Sequence, residues 1–310
     1  SMSFRVALGV RPQVFDSARE SADTATDSLQ IVVDSPVLSA VQLASLTTQD
    51  RVPVREFAAV APAPEGGLDA AALAAAIDAL CDDVVAFART SGGIAILSDR
   101  GISADRSALP MVFAVSAVNQ RLITEGLRLR VSVIADSGQV ESSHHLALLL
   151  GFGAAAVHPH TVARRAAEKF ADDPDSAFDR WAKAAIKSLG KTMGRVGLCT
   201  VESYIGGEFF EPNFLDTTDE YLHPWFATLR SPAGGVGLEP IAALLNGAHA
   251  AAVSEPLDTD RDLPLLGLFK ERAEGAGHSF GATAVRRWEE MNHGAGSGAS
   301  GPNQHGAGKR

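Results

Sequence analysis

The sequence predicts an α/β protein of repeated βα units around a mainly parallel sheet, and three observations carry that expectation. Strand-like runs without polar alternation recur between residues 92 and 203, a helix-like stretch follows each, and Gly- or Asp-containing loops sit at the strand ends. A strand that is apolar at every position is buried on both faces, as in a parallel sheet covered by helices. Half of a (β/α) barrel and an open doubly wound sheet both satisfy this pattern, with right-handed crossovers expected in either.

Residues 1 to about 35 are polar and rich in Ala, Ser and Asp, with one apolar triplet, Ile31-Val32-Val33, and read as a lead-in outside the core, the polar part being 1–30. VPVREFAAV (52–60) alternates and reads as a strand; after Pro62, Pro64 and Gly66-Gly67, the stretch from Leu68 to Thr90 is an amphipathic helix with Asp69 at the positive end of its dipole. GGIAILS (92–98) is a buried strand, Asp99-Arg100-Gly101 a loop, and 110–127 a helix with Pro110 in its first turn and Gly126 at its close. RVSVIAD (130–136) is a strand, SHHLALLLGF a helix, and AAAVHP the next strand. A helix over 178–196, a strand LCTVES (198–203), a short helix from Glu208 to Glu211, a loop-rich region from Tyr221 to Gly237 and a helix from Leu238 to Ala252 follow. The α/β domain is expected over 31–292, its last segment (263–292) apolar enough to dock; the Gly/Ser-rich tail (293–310) cannot bury apolar area and is expected to be disordered.

The 310 residues, 46% hydrophobic and 21% charged, suffice for one large core or two moderate ones. The 27 basic against 37 acidic side chains give a net charge of −10 with no cluster of Lys and Arg along the chain, so neither nucleic acid nor an anionic membrane is an expected partner. Two cysteines, Cys81 in a predicted helix and Cys199 in a predicted strand, can build neither a disulfide framework nor a four-thiolate metal site, and a reducing cytoplasm is the expected location. No apolar run approaches the roughly 20 residues that span a bilayer.

The stretch from Val131 to Pro159 is laid out like the phosphate cradle of a flavin-type βα barrel. Asp136-Ser137-Gly138 supplies a plausible first half, whose backbone N–H groups could approach an anion. The second half departs from the pattern: His158-Pro159-His160-Thr161 offers no Gly, Ser or Arg pair to close over a phosphate, and a structural turn is the favoured reading. Ser98-Asp99-Arg100 lies at a strand's C-terminal end, where α/β folds place functional groups. These residues (Ser98, Asp99, Arg100, Asp136, Ser137, Gly138 and His158) are the anion-site candidates; the plainer alternative has Asp99 and Arg100 capping a helix and pairing with each other. His144 and His145 point about 100° apart on a helix and cannot chelate one metal, and His158 and His160 have no carboxylate close in sequence, so no metal site is expected. Cys199 reads as a small core residue. Glu208 and Glu211, at i, i+3, read as a solvated helix start. No residue is assigned a catalytic role.

Taken in order, LSDRGI (97–102), 109–159, KSLGKTMGRVGLCTVESYIGGEFFE (187–211) and SPAGGVGL (231–238) resemble the central domain of the glutamate synthase large subunit. SPVLS (35–39) and GAGHSFGATAVR (275–286) match that family's start and exit, so the resemblance covers most of 30–287. Two departures stand inside it: Asn119-Gln120-Arg121 where relatives carry a run of histidines, and His158-Pro159-His160 where they carry Asn-Pro-Tyr.

The resemblance implies a rudimentary, TIM-barrel-like fold related to flavin barrels, and a place between an amidotransferase module and an FMN-binding synthase module. It implies a non-catalytic scaffold in glutamate biosynthesis, the associated oxidoreductase reaction being reductive transfer of glutamine's amide nitrogen to 2-oxoglutarate. FMN and an iron–sulfur cluster are expected only in the partner module, with no cofactor in this chain. A homo-oligomer is left open. The competing expectation is a self-sufficient flavin- or phosphate-ligand-binding βα protein using the same strand ends.

Overall fold

A computed structural model describes residues 2–11 and 29–254; the expectations for 12–28, for 263–292 and for the tail lie outside the described residues. The first strands, β1 (Val6–Gly9) and β2 (Gln30–Val33), pair antiparallel. Helix α1 (Ala40–Thr48) is set by a capping box, with Ser39 Oγ accepting from Gln42 N and the Gln42 side chain accepting from Ser39 N at 2.8 Å. The expected strand 52–60 divides at Ala59 into β3 (Val54–Ala58) and β4 (Val60–Pro62). Helix α2 (Ala70–Thr90) starts at Asp69, whose carboxylate accepts from Ala72 N at 2.7 Å, and buries Leu73, Ile77, Leu80, Val84 and Ala88 along one face. Next come β5 (Gly93–Ser98), β6 (Arg106–Ala108), α3 (Met111–Thr124), β7 (Val131–Asp136), α4 (Ser143–Gly151) and β8 (Ala154–His158).

The four strands β3-β5-β7-β8 form one parallel sheet in that order. Each strand lies beside its predecessor, with α2, α3 and α4 in the crossovers, so among the described residues the winding does not reverse. A doubly wound sheet requires a reversal at its switch point; unbroken sequential order is that of an arc of a (β/α) barrel. The sequence left these two open, and the strand order decides for the partial barrel. Between the crossovers, β4 and β6 add a short antiparallel pair beyond the strand ends.

Every residue of β5, β7 and β8 is buried, which explains their unalternating sequences. One face is covered by the crossover helices. β1 packs against β5, β7 and β8, fixed by Ser132 Oγ, which accepts from Gly9 N at 3.0 Å and donates to Gly9 O at 3.1 Å. Val6 and Leu8 are fully buried, so the reading of residues 1–35 as contributing no core is corrected here. Gly93 begins β5 at φ +123°, where a Cβ would fall 2.1 Å from Pro53 O, so only glycine lets β3 and β5 approach.

Beyond β8 the chain forms α5 (His160–Lys169) and α6 (Pro174–Val196), then the short helices α7 (Val201–Tyr204) and α8 (Leu222–Trp225) and finally α9 (Leu238–Ser254). Of the strand expected at 198–203, only an isolated parallel bridge of Thr200 to Ser3 forms, and Val201–Tyr204 is α7. The edge of β8 that a further strand would need is already taken: Leu38 N donates to Val157 O at 2.9 Å and Val157 N to Pro36 O at 2.7 Å. Cys199 is exposed, not a core residue. No helix spans Glu208 to Glu211; Glu208 sits at φ 51°, incompatible with continued α-helix. Phe113, Phe152, Trp225 and Phe226 form a chain of aromatic contacts that locks α3, α4 and α8 together. No described helix is long and apolar enough to cross a membrane.

Candidate functional site

The C-terminal ends of β5, β7 and β8 bring all seven anion-site candidates together. In a parallel arc these ends share one rim, so Ser98-Asp99-Arg100, Asp136-Ser137-Gly138 and His158 become neighbours although they come from three separate stretches of sequence. Ser98 and Asp136 are directly paired in the register, as are Asp136 and His158. Asp99 N donates to Asp136 O at 3.2 Å and Ser137 N to His158 O at 3.0 Å, so the loops leave the sheet with their backbones still joined.

Two buried carboxylates organise the polar groups. Asp136 accepts from Ser98 Oγ at 2.9 Å, from Arg100 Nε at 2.6 Å and from Arg100 Nη2 at 3.2 Å; His158 Nε2 lies 4.0 Å from its Oδ1. Asp99, fully buried, accepts from Ser137 Oγ at 2.7 Å, Gly138 N at 2.9 Å and Gln139 Nε2 at 3.0 Å, with His160 Nε2 at 2.7 Å. Asp99 and Arg100 therefore do not pair with each other, which corrects the plainer reading. Neighbours on an extended segment point to opposite sides, and the two side chains reach different partners.

The first half of the expected cradle is formed, and its donors are engaged. The Gly138 N–H and the Ser137 hydroxyl, the groups that would approach a phosphate, are spent on the Asp99 carboxylate. A Cβ on Gly138 would lie 2.8 Å from His160 Cε1 and from Thr161 Oγ1, so glycine is needed here for the α5 start to close over the loop. The chain thus fills an anion-shaped space with an anion of its own.

Electrostatics follow from this placement. Burial pushes the Asp99 carboxyl up, but hydrogen bonds from His160, Ser137 and Gly138 outweigh it and hold it below the usual carboxylate value. Burial holds His158 below the ordinary imidazole value, against the opposing pull of its hydrogen bond to Leu38 O and of Asp136. Its Nδ1 lies 2.8 Å from that carbonyl, so the ring keeps its proton there and is neutral.

Sequence reasoning missed Gln139 and the role of His160. Gln139 ties the cluster to the next helix, with Nε2 donating to Leu109 O at 2.8 Å and Oε1 accepting from Met111 N at 3.0 Å. The signal for His160 was its position at a helix start directly after a strand, facing a preceding strand end. Glu208, by contrast, stands apart: it accepts from Gln120 Nε2 at 2.5 Å and from Thr228 Oγ1, and burial pushes its carboxyl up. His144 and His145 are exposed on α4 and take no part in the cluster. Among the described residues no group of three or more His, Cys, Asp or Glu could hold a metal ion.

Comparison with known proteins adds the following. The family described as glutamate synthase central domain matches residues 1–214. The ferredoxin-dependent glutamate synthase, chloroplastic, of Oryza sativa subsp. japonica is 29% identical over 90% of this chain and 18% of its own length. The glutamate synthase [NADPH] large chain of Bacillus subtilis (strain 168) is 29% identical over 61% of this chain and 13% of its own. The chain spans less than a fifth of these relatives. Among solved structures, a mutant flavocytochrome b2 with benzoylformate aligns at a TM-score of 0.36 and 15% identity, over 55% of this chain and 38% of that one.

Proposed function

The chain belongs to the glutamate synthase central-domain family, and from that premise we propose that it acts as a non-catalytic scaffold between an amidotransferase module and an FMN-binding synthase module in glutamate biosynthesis. In this reading the parent reaction, transfer of glutamine's amide nitrogen to 2-oxoglutarate with reduction, is carried out by the flanking modules. The residues described here supply walls and contacts for them, in a cytoplasmic setting.

The observation that supports this reading is the occupied rim. A βα barrel recognises a ligand phosphate with free N–H and hydroxyl donors at its strand ends. Here Ser137, Gly138, Gln139 and His160 converge on Asp99, and Ser98 and Arg100 on Asp136. A phosphate brought to the same place would meet two buried carboxylates, with the Ser137 and Gly138 donors already committed. The residues present do not fit an FMN phosphate, and two cysteines cannot ligate a cluster that requires three. No reaction step is routed through either group.

The test has two arms. The purified chain should show no flavin absorption, and its thermal midpoint should not move on adding FMN or a sugar phosphate. Mixed with separately produced amidotransferase and synthase modules, it should raise glutamine-dependent glutamate formation. A saturable FMN-induced shift would instead establish the self-sufficient binder, and modules that work equally well without the chain would remove the scaffold.

A further inference from the structure

Although no cluster of Lys and Arg stands out along the sequence, α6 makes one. Arg180, Lys183, Lys187, Lys191 and Arg195 follow one another at spacings of three or four residues, which on an α-helix is a single face. From Arg180 to Arg195 that face runs about 23 Å at 1.5 Å per residue. No Asp or Glu occurs between residues 180 and 197, in a chain whose net charge is −10. All five cations are exposed. Arg180 is held by its hydrogen bond to Ser176 Oγ at 2.8 Å and lies over the Phe170 ring at 5.8 Å. Among the described residues the other four make no ion pair.

An isolated stripe of like charge on a helix costs stability through i, i+4 repulsion. Beside it lies a groove of about 410 Å³ floored by Phe4, Val37, Phe178, Ala182 and Ile186. Lys183 and Lys187 stand on its rim, with Asp34 and Asp179 along the same groove. A charged face continuous with an apolar groove needs a partner that offers both carboxylates and an apolar side chain.

We propose that the α6 face and its groove dock an acidic, amphipathic segment of a partner protein, apolar side chains in the groove and carboxylates on the lysine row. A nucleic acid or anionic bilayer would bring uniform negative charge against Asp34 and Asp179 and against the acidic remainder of the chain, and would leave the groove unfilled. A protein segment can place its charges along α6 alone. The proposal is independent of the scaffold reading, since it rests on this face whatever module carries the segment.

The experiment is fluorescence anisotropy on the 310-residue chain with a labelled peptide that carries Leu at helical spacing and Glu elsewhere. Controls are the same peptide with Lys for Glu, a DNA duplex, and phosphatidylserine vesicles. The acidic peptide should bind, more weakly as salt rises, while the Lys peptide should not. The variant K183E/K187E/K191E should bind the acidic peptide at least about tenfold more weakly with unchanged circular dichroism, because these side chains are exposed and unpaired. The groove-filling variant Ala182→Trp should also weaken binding, and K183R/K187R/K191R should retain it. The proposal is overturned if acidic and basic peptides bind alike, if charge reversal leaves the affinity unchanged, or if DNA or vesicles bind more tightly than the acidic peptide at equal salt.

Discussion

His160 Nε2 lies 2.7 Å from Asp99 Oδ1, across 61 positions of sequence, and this contact closes the first turn of α5 onto the end of β5. Four side-chain and backbone groups converge on the Asp99 carboxylate from the neighbouring loop and helix. Its replacement by Ala should cost about 3 kcal/mol, because buried donors are left without an acceptor. The same deletion creates an anion-shaped space lined by Ser137, Gly138, Gln139 and His160. Formate or inorganic phosphate should therefore raise the thermal midpoint of D99A more than that of the parent chain. If both respond equally to the added anion, Asp99 does not occupy an anion cradle.

Arg100 grips Asp136 with two donors, at 2.6 and 3.2 Å, while half of its own side chain faces solvent. Solvent screening reduces what the pair contributes, and R100A should cost about 1–2 kcal/mol, with R100K losing less. Arg100 also helps hold the imidazole of His158 down. In R100A the His158 resonance, followed by NMR, should titrate at higher pH than in the parent; an unmoved titration would mean that Arg100 acts on Asp136 alone.

The pH dependence follows from His158. Its folded value lies below the unfolded one, so the unfolded chain binds the proton more readily. The stabilising contribution is fully present above the unfolded value of about 6.5 and is lost as pH falls through the lower folded value. Asp99, also held below its ordinary value, acts in a separate window, its contribution present above about 3.9 and lost below. The thermal midpoint should therefore decline as pH falls below the unfolded imidazole value of about 6.5. His158→Asn, which can keep a donor toward Leu38 O, should flatten that decline; a parent and variant of identical slope would place the titrating group elsewhere.

Much of this was legible in the sequence because it depended on local pattern. Unalternating strands such as GIAILS and VSVIAD announce burial on both faces, and Asp69 announces a helix start. The candidates at 98–100 and 136–138 were legible because parallel sheets put their loops on one rim. What was not legible depended on register or competition. The segment expected as a strand at 198–203 bridges Ser3 at Thr200 and then turns into α7, while 36–38 takes the edge of β8. The partners of Asp99 were hidden because alternation sends Asp99 and Arg100 to different neighbours. The α1 helix rests on the Ser39–Gln42 capping box, a signal carried by only two side chains. The α6 face was invisible in a linear reading because its cations are never adjacent.

The partly buried guanidinium of Arg128 anchors the opposite end of the sheet. Arg128 donates from Nε to Asn119 Oδ1 at 2.6 Å, from Nη1 to Val131 O at 2.9 Å and from Nη2 to Gly153 O at 3.0 Å, linking α3, the start of β7 and the entry to β8. Burial, with Arg11 adding repulsion, pushes its pKa down to about 10, yet it stays charged at neutral pH. A planar fork reaches three acceptors in different directions, which a lysine ammonium on a flexible stem cannot. R128K should therefore cost about 2–3 kcal/mol in chemical denaturation, from carbonyls left unsatisfied. It should also speed amide exchange at the β7–β8 pairing more than at β3–β5. If R128K unfolds at the parent's denaturant midpoint, the positive charge suffices there and the fork geometry contributes nothing.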